Sequence, residues 1–549
     1  LFSQLDESSG TINRIVPEGS ILNLTNNYVE SNNLRGQLNF NHTWQNHSLS
    51  AILGTENRQT KISNDGNTSY GYDDNLLTVS NVDFVNPYPT YLDGGYEYIG
   101  NGLSFSQTRN NFVSYFGNAA YTYQGKYTLS ASFRRDASNL FGVNTNDKWN
   151  PFWSAGLSYE ISKESFYKSA LFPYLRVRAT YGFSGNVDQT KSAVTVVGNF
   201  TSNPTTGLLQ AQVEQFSNPD LKWEKLATLN FGLDFSLKGQ IVNGAIEYYH
   251  KNGTDLFGLV PVDYTTGLNT FLITKNVANM AGNGVDITVQ TKNIDRTFKW
   301  RTNFLFSYNT SKTTKYFQEQ YTWAGILGSG SSISPTVGKP LYAIASYKWG
   351  GLDGQGNPQG YVNGKLSMDY STILSSATSI DSLVYNGPTT PKFFGAIGNS
   401  FSWKEFTLTA NLIYKLGYYF RKPTISYSGL FYNGQGNADF ANRWQKPGDE
   451  KTTNIPSMIY PADSYRDQFF QLSEATVEKA DNIRLQFISL SYDFQKTNKN
   501  KSPFSNIQLY LNISNLGIIW RANGQHLDPD NLSSIQPPRA YAFGVKAIF

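Results

Sequence analysis

The 549-residue sequence has no cysteine, which excludes disulfide frameworks, thiolate catalysis, iron–sulfur clusters and cysteine-ligated zinc. Histidine is nearly as scarce. The four present, His42, His47, His250 and His526, form no H-E-x-x-H or H-x3-H pair, and His42 and His47, which flank the turn at Gln45-Asn46, read as surface or interfacial residues, so no metal is assigned. Charged residues make up 16% of the chain, against about 25% in an ordinary globular domain. Lys and Arg number 45 against 41 Asp and Glu, a formal net charge of +4, and the cations are scattered rather than gathered on a stripe. Nucleic acid is therefore not an expected partner. No window approaches about 18 consecutive apolar residues, so neither a transmembrane helix nor a signal anchor is predicted. The phosphate-cradling patterns of nucleotide-binding loops are missing despite 47 glycines, and Gly351 to Gly356 reads as turns. No carboxylate pair stands out as suited to hydrolysis. With no catalytic residue and no cofactor assigned, an enzyme is not expected.

What the chain holds in abundance is aromatic: 36 Tyr, 36 Phe and 10 Trp, or 15% of all residues. A disordered chain carries few aromatics and a large net charge, so disorder is excluded. The recurring hydrophobic period is two. Leu229, Phe231, Leu233, Phe235 and Leu237 alternate with Thr228, Asn230, Asp234 and Ser236. Leu175, Val177, Ala179, Tyr181 and Phe183 alternate with Arg176, Arg178, Thr180 and Ser184 in the same way. Such segments run for about 10 to 14 residues, enough for a tilted strand to cross a bilayer and longer than the usual soluble strand of about 5 to 6.

The pattern predicts strands near 34–44, 47–56, 111–123, 126–135, 151–161, 174–183, 225–237, 241–252, 281–290, 299–312, 391–401, 405–420, 481–494, 506–515 and 539–549. Connections between them alternate between very short, as at Gln45-Asn46 and Gln124-Gly125, and long, at 57–110, 184–224, 313–390 and 421–480. Bacterial outer-membrane barrels show this asymmetry, with tight periplasmic turns and long extracellular loops. The fold class expected is all-β, a transmembrane antiparallel β-barrel with the long connections outside the cell and the last strand running inward. About fifteen strands is an odd number, and single-chain barrels have even ones. Open edges in lipid are forbidden by the cost of unpaired backbone groups, so residues 1–549 are expected to be the C-terminal portion of a larger barrel. The last strand places Tyr541, Phe543, Val545, Ala547 and Phe549 on one face and ends on an aromatic, which resembles an outer-membrane insertion signal.

Several segments together resemble the SusC/RagA class of TonB-dependent outer-membrane transporters, over most of the chain from about Leu34 to Phe549. They are Ser132 to Asp136 (SFRRD) with Phe141-Gly142, Trp149 to Tyr159 followed by Glu160 to Phe166 (EISKESF), Leu175 to Gly182 (LRVRATYG) with Ser184 to Asn186, and Asn218 to Glu224 (NPDLKWE). Tyr248-Tyr249, Thr254 to Leu256, Pro391-Lys392 with Gly395, Trp444 with Pro447 to Asp449, Ile483 to Leu485, and Arg539 with Tyr541 and Phe543-Gly544 continue the series. The resemblance implies a barrel of about 22 strands around a plug, so that about seven strands and the plug would precede Leu1. It also implies import of a large nutrient, an oligosaccharide or peptide, across the bacterial outer membrane. TonB would energise that import through an N-terminal region that nothing in Leu1 to Asn33 resembles, and a SusD-like surface lipoprotein would cap the barrel. The lipid of the outer membrane is the remaining expected partner. The alternatives are a SusC-like barrel serving as a structural subunit of a secretion or assembly complex, and an extracellular β-sandwich adhesin.

Candidate ligand or partner contacts are Tyr70, Tyr72, Tyr96, Tyr98 and Trp323, aromatics in long connections that could stack on sugar or peptide, or simply pack against neighbouring loops. Asp73-Asp74-Asn75 and Asp528 to Asn531 carry the hard oxygens calcium takes, but such residues are ordinary turn formers, and the turn reading is preferred.

Overall fold

The computed structural model describes every residue except 1, 7, 92, 93, 140–148, 187–194, 200–205, 207, 209, 210, 217, 219, 264, 266–271, 319–323, 376–379, 495–503, 533, 534 and 549. One antiparallel sheet dominates it. Its strands, in chain order, are β1 (Ser20–Trp44), β2 (His47–Asp73), β3 (Ser104–Tyr123), β4 (Tyr127–Ser138), β5 (Trp149–Glu160), β6 (Tyr174–Asn186), β7 (Glu224–Ser236) and β8 (Val242–Pro261). They continue as β9 (Leu272–Asp295), β10 (Phe298–Tyr316), β11 (Phe393–Trp403), β12 (Phe406–Leu416), β13 (Asn482–Phe494), β14 (Asn506–Arg521) and β15 (Ala540–Ile548). Each pairs with its sequence neighbours, so the order in space is the order in the chain. A short strand, Thr78–Ser80, folds back on the end of β2 and brings the sheet to 16 strands.

The fifteen expected strands are all present on the main path, but several are much longer than expected. β1 and β2 have 25 and 27 residues, at about 3.3 Å each far more than the roughly 30 Å hydrocarbon layer requires. The connections expected at 57–110, 184–224 and 313–390 are correspondingly shorter, because β2 continues to Asp73, β3 begins at Ser104, β6 ends at Asn186 and β10 ends at Tyr316. The alternation of connection lengths persists. The chain turns through 45–46, 124–126, 237–241, 296–297 and 404–405 at one end of the sheet, and through 74–103, 317–392 and 417–481 at the other.

Alternation sorts the side chains by face. Leu53, Leu129, Phe133, Leu157, Phe231 and Leu408 are exposed although apolar, as the lipid face of a barrel demands. Aromatic rings gather at the short-turn end. Trp44 stacks on His42 and on His47, each at 5.4 Å, and Tyr127 stacks on Tyr159 at 4.9 Å. Phe406 and Phe494 flank Tyr492 at 4.7 Å. This is the interfacial position that amphipathic rings prefer, and it absorbs His42 and His47 into an aromatic belt.

Some wall glycines are required by neighbouring rings. A Cβ on Gly284 would lie 2.2 Å from the Tyr249 ring, and one on Gly544 would lie 2.4 Å from that of Tyr510. A ring lying flat over a cross-strand glycine covers backbone that a larger residue would otherwise have to shield.

β1 and β15 are the edges of the described sheet, and nearly every position of β1 is exposed. Among the described residues no helix is long and apolar enough to cross a membrane. Four short ones, α1 (Ala324–Leu327), α2 (Tyr370–Ser375), α3 (Tyr427–Asn433) and α4 (Ser464–Leu472), lie in the two longest connections.

Candidate functional site

The polar face of the wall forms an ionic lattice. In LRVRATYG the period of two sends Val177 and Ala179 to one face and Arg176 and Arg178 to the other, where β7 presents Asp234 and β8 presents Glu247. Arg176 meets Asp234 at 2.7 Å, and Arg178 bridges Asp234 at 3.0 Å and Glu247 at 2.5 Å. Asn230 donates to Glu247 at 3.4 Å. A second group stands on β1 to β4. The Arg35 guanidinium lies 4.5 Å from the Phe116 ring centroid. Arg134 lies 5.9 Å from the same ring while binding Asp136 at 2.8 Å. Charges of this density are tolerated at membrane depth only on a face turned from lipid toward protein or water.

The NPDLKWE segment braces the wall's long-connection end. Leu221 and Trp223 are buried against Phe112, Phe152 and Phe257. Asn218 donates to the Thr274 carbonyl at 2.8 Å, and Phe257 donates its backbone N–H to Glu224 at 2.9 Å. The motif thus ties β3, β5, β8 and β9 together from above.

Over the same end sits a packed cap, built from 324–390 and 417–481. Its interior holds Ile326, Ala345, Tyr347, Tyr370, Ile373 and Phe469, and a neighbouring cluster holds Ile425, Tyr427, Ile455 and Phe470. Ser426 caps α3 by accepting from Gly429 N, and Asp463 caps α4 by accepting from Tyr465 N and Arg466 N. Arg421 stands at the centre. Its Nε donates to Gly328 O at 3.1 Å, its Nη1 to Gln471 O, Ser473 O and Thr476 Oγ1 at 3.1, 2.9 and 2.6 Å, and its Nη2 to Ala345 O and Ser346 Oγ at 3.0 Å. Burial pulls its guanidinium down to about 10, and burial pushes the Tyr370, Tyr385 and Tyr427 hydroxyls up to about 12. A cavity of about 460 Å³ beside the cap is lined by polar groups including Asp439, Asp449 and Glu478, with Lys422 held on Asp439 at 3.1 Å.

The expected contact residues fall in different surroundings. The Tyr70 hydroxyl donates to Gly100 O at 2.7 Å and its ring packs on Phe84 at 6.1 Å, while Tyr72 sits near the end of β2, opposite Ser20. Tyr96 and Tyr98 share a short strand paired with Pro87–Pro89 and are 71% and 63% exposed. Trp323 lies outside the described residues. Tyr70 and Tyr72 are thus half-buried, whereas Tyr96 and Tyr98 are exposed.

The acidic segments act as turns and ion-pair acceptors. Asp73 accepts from Asn75 N and Leu76 N. Asp528 binds Arg484 at 2.7 Å, and Asp530 binds Lys415 at 2.9 Å. His250 bonds Asn283 through Nδ1 at 2.7 Å. No group of three or more His, Asp or Glu suited to a metal ion occurs among the described residues. On β15, Tyr541, Phe543 and Val545 are exposed on the apolar face, opposite Ile513, Leu511 and Leu509 of β14; Phe549 lies outside the described residues.

Comparison with known proteins decides what this wall and cap belong to. Residues 4–516 match the family described as TonB dependent receptor-like, beta-barrel. The chain belongs to that family of TonB-dependent receptor β-barrels. TonB-dependent receptor P39 of Formosa agariphila is 26% identical over 488 residues, covering 82% of this chain and 46% of its own length. TonB-dependent receptor SusC of Bacteroides thetaiotaomicron is 26% identical over 471 residues, covering 79% and 43%. The chain thus spans about half the length of these receptors. A structure of the RagAB peptide transporter superposes with a TM-score of 0.75 at 21% identity, covering 96% of this chain and 56% of that one. The fold is that of a TonB-dependent receptor of SusC/RagA type, an outer-membrane β-barrel, and the family is one of transporter receptors and not of enzymes.

Proposed function

We propose that this chain forms the C-terminal wall and extracellular cap of an importer that carries an oligosaccharide or peptide across the outer membrane, energised by TonB and closed by a SusD-like lipoprotein. The observation that carries the reading is the pairing of a charged inner wall, Arg176, Arg178, Asp234 and Glu247, with a folded cap at the long-connection end. A wet, polar passage under a structured lid is what a large hydrophilic cargo requires, whereas a scaffold barrel needs no polar lattice in its lumen. By the loop rule the connections 74–103, 317–392 and 417–481 face outward. The exposed edge of β1 cannot remain unpaired in lipid, and the likeness to SusC/RagA-type receptors supports about seven further strands and a plug as what completes the barrel. Tyr96 and Tyr98, exposed in the connection 74–103, are read as candidate contacts for cargo or a lipoprotein.

The test is growth on single oligosaccharides or peptides with the chain's gene deleted, with affinity capture of the receptor from outer membranes alongside. Import predicts loss of growth on at least one such nutrient and co-capture of a surface lipoprotein. Undiminished growth on every nutrient, with secretion machinery captured instead, would replace this reading by the scaffold one. Protease-cleavable tags in 74–103 and 417–481, accessible on intact cells, test the orientation independently.

A further inference from the structure

Among the described residues the wall carries a hollow on its lipid face. A cavity of about 550 Å³ opens across β3 to β7 and is walled by Tyr123, Tyr127, Leu129, Leu157, Ala179 and Phe231. Leu129, Leu157 and Phe231 are 54%, 63% and 49% exposed, and they share the face that alternation turns away from the Arg176, Arg178 and Asp234 lattice. The hollow is bounded toward the short-turn end by fixed rings. Tyr127 stacks on Tyr159 at 4.9 Å, and its hydroxyl donates to Glu164 at 2.5 Å. Lys126 holds the same carboxylate at 3.0 Å, and Lys163 donates to Gly125 O at 2.8 Å.

The charge of the adjoining turns is one-sided. Residues 124–126, 160–173 and 237–241 carry Lys126, Lys163, Lys168 and Lys238 against Glu160 and Glu164, so 4 − 2 leaves a net charge of +2. Tyrosine hydroxyls at the rim mark the headgroup level, and lysines just beyond it attract lipid phosphate. We propose that this hollow is a binding site for one anionic phospholipid of the periplasmic leaflet. An acyl chain lies over Ala179 between the Tyr127 and Phe231 rings, and the headgroup phosphate is held by the lysines of the turns. Unlike the ring of lipid around any barrel, this chain fills a preformed recess, and its phosphate meets cations supplied by three consecutive turns. The assignment to the periplasmic leaflet rests on the orientation given above, which the tag experiment tests separately.

The experiment is native mass spectrometry of the receptor purified from outer membranes in mild detergent, then delipidated and offered phosphatidylglycerol and phosphatidylcholine in equal amounts. One retained phosphatidylglycerol, favoured several-fold over phosphatidylcholine, is expected. Ala179→Trp should fill the recess and remove the retained lipid, while Lys168→Gln with Lys238→Gln should leave a lipid bound but lose the preference for phosphatidylglycerol. The lysine variants lie outside the strands, so they keep the test decisive if Ala179→Trp fails to assemble. Retention unchanged in both variants, or no preference between the two lipids in the wild type, would overturn the proposal. Recovery of lipopolysaccharide instead of phospholipid would overturn it as well.

Discussion

The wall and the cap solve opposite solvent problems with the same chain. In the wall the apolar side chains point outward and the charges inward. Order comes from a continuous backbone ladder and from pairs such as Arg178 with Asp234 and Glu247. In the cap Phe469, Phe470 and Tyr427 are buried to 2% exposure or less, and order comes from the hydrophobic effect in water. Among the described residues its central cation, Arg421, has only carbonyl and hydroxyl partners. The wall tolerates a lost side chain because its ladder remains. The cap has no ladder of comparable extent, so it depends on a few buried groups.

The largest effect should come from striking the wall at its last strand. A charge on the lipid face costs up to about 2–4 kcal/mol at the bilayer midplane and less toward the interface, so Phe543→Asp weakens the folded wall and also spoils the apolar face read during insertion. Deleting Phe549 spoils that face alone. Both changes should lower the outer-membrane level of heat-modifiable barrel several-fold and take the cap with it, while Lys546→Asp, on the opposite face of β15, should leave the level near wild type. Equal levels for all three would refute the insertion-signal reading.

Second in size is the cap's keystone. Arg421→Ala takes a donor from Gly328 O and from Ala345 O and leaves Gln471 O and Ser473 O to Thr476, at about 1–3 kcal/mol for each group left unpaired. The cap, covering 324–390 and 417–481, should become cleavable by trypsin while the barrel band persists. Arg421→Lys should not rescue it, because an ammonium cannot reach acceptors on three sides. Cleavage unchanged in both variants would show that the cap does not depend on this residue.

The wall counterpart is smaller. Arg178→Ala leaves Asp234 and Glu247 facing each other across β7 and β8. Arg176 still serves Asp234 at 2.7 Å and the lumen admits water, so about 1–3 kcal/mol is expected. The urea midpoint of barrel unfolding should fall with no new cleavage in the cap. Replacing Asp234 by Asn in the same chain should recover part of the loss. A cap that becomes protease-sensitive in the Arg178 variant would mean that wall and cap are one cooperative unit.

The same contrast explains what could be read in advance. Every main strand was legible where lipid lies on one side, because only there must one face be apolar. The strand pattern is lost in Ser20 to Asn33 and in 57–73, where Asn26, Asn27, Glu30, Arg58, Gln59 and Lys61 put polar groups on both faces. Above the membrane both sides of the sheet meet water, and the period of two fades. In the sequence the cap reads as loop, because its core is assembled from short segments with no period. Its signals were local ones, Asp463 ahead of α4 and the pair Phe469-Phe470. Arg421, beside Lys422, reads as surface charge, and nothing in the sequence shows that six acceptors from three segments converge on it. Among the expected contacts, Tyr96 and Tyr98 are exposed while Tyr70 is engaged by Gly100 and Phe84, a difference set by tertiary contacts that composition does not carry.

The smallest effect concerns pH and separates the two regions by their titration. Burial beside the polar cavity raises the Glu478 carboxyl above its ordinary value, with Lys422 opposing the shift. A carboxyl whose pKa is higher folded than unfolded binds its proton more tightly in the folded cap. Its stabilising contribution is therefore full below the unfolded value of 4.5 and is lost as pH rises through the raised one. Wild-type cap should thus lose some protease resistance between mildly acidic and neutral pH relative to Glu478→Gln, whose side chain does not ionise, while the wall's urea midpoint follows the same pH course in both proteins. The comparison is between slopes and not absolute stabilities, so a uniform destabilisation by the substitution leaves it readable. Parallel pH courses for cap proteolysis in the two proteins would show that Glu478 has the same proton affinity folded and unfolded.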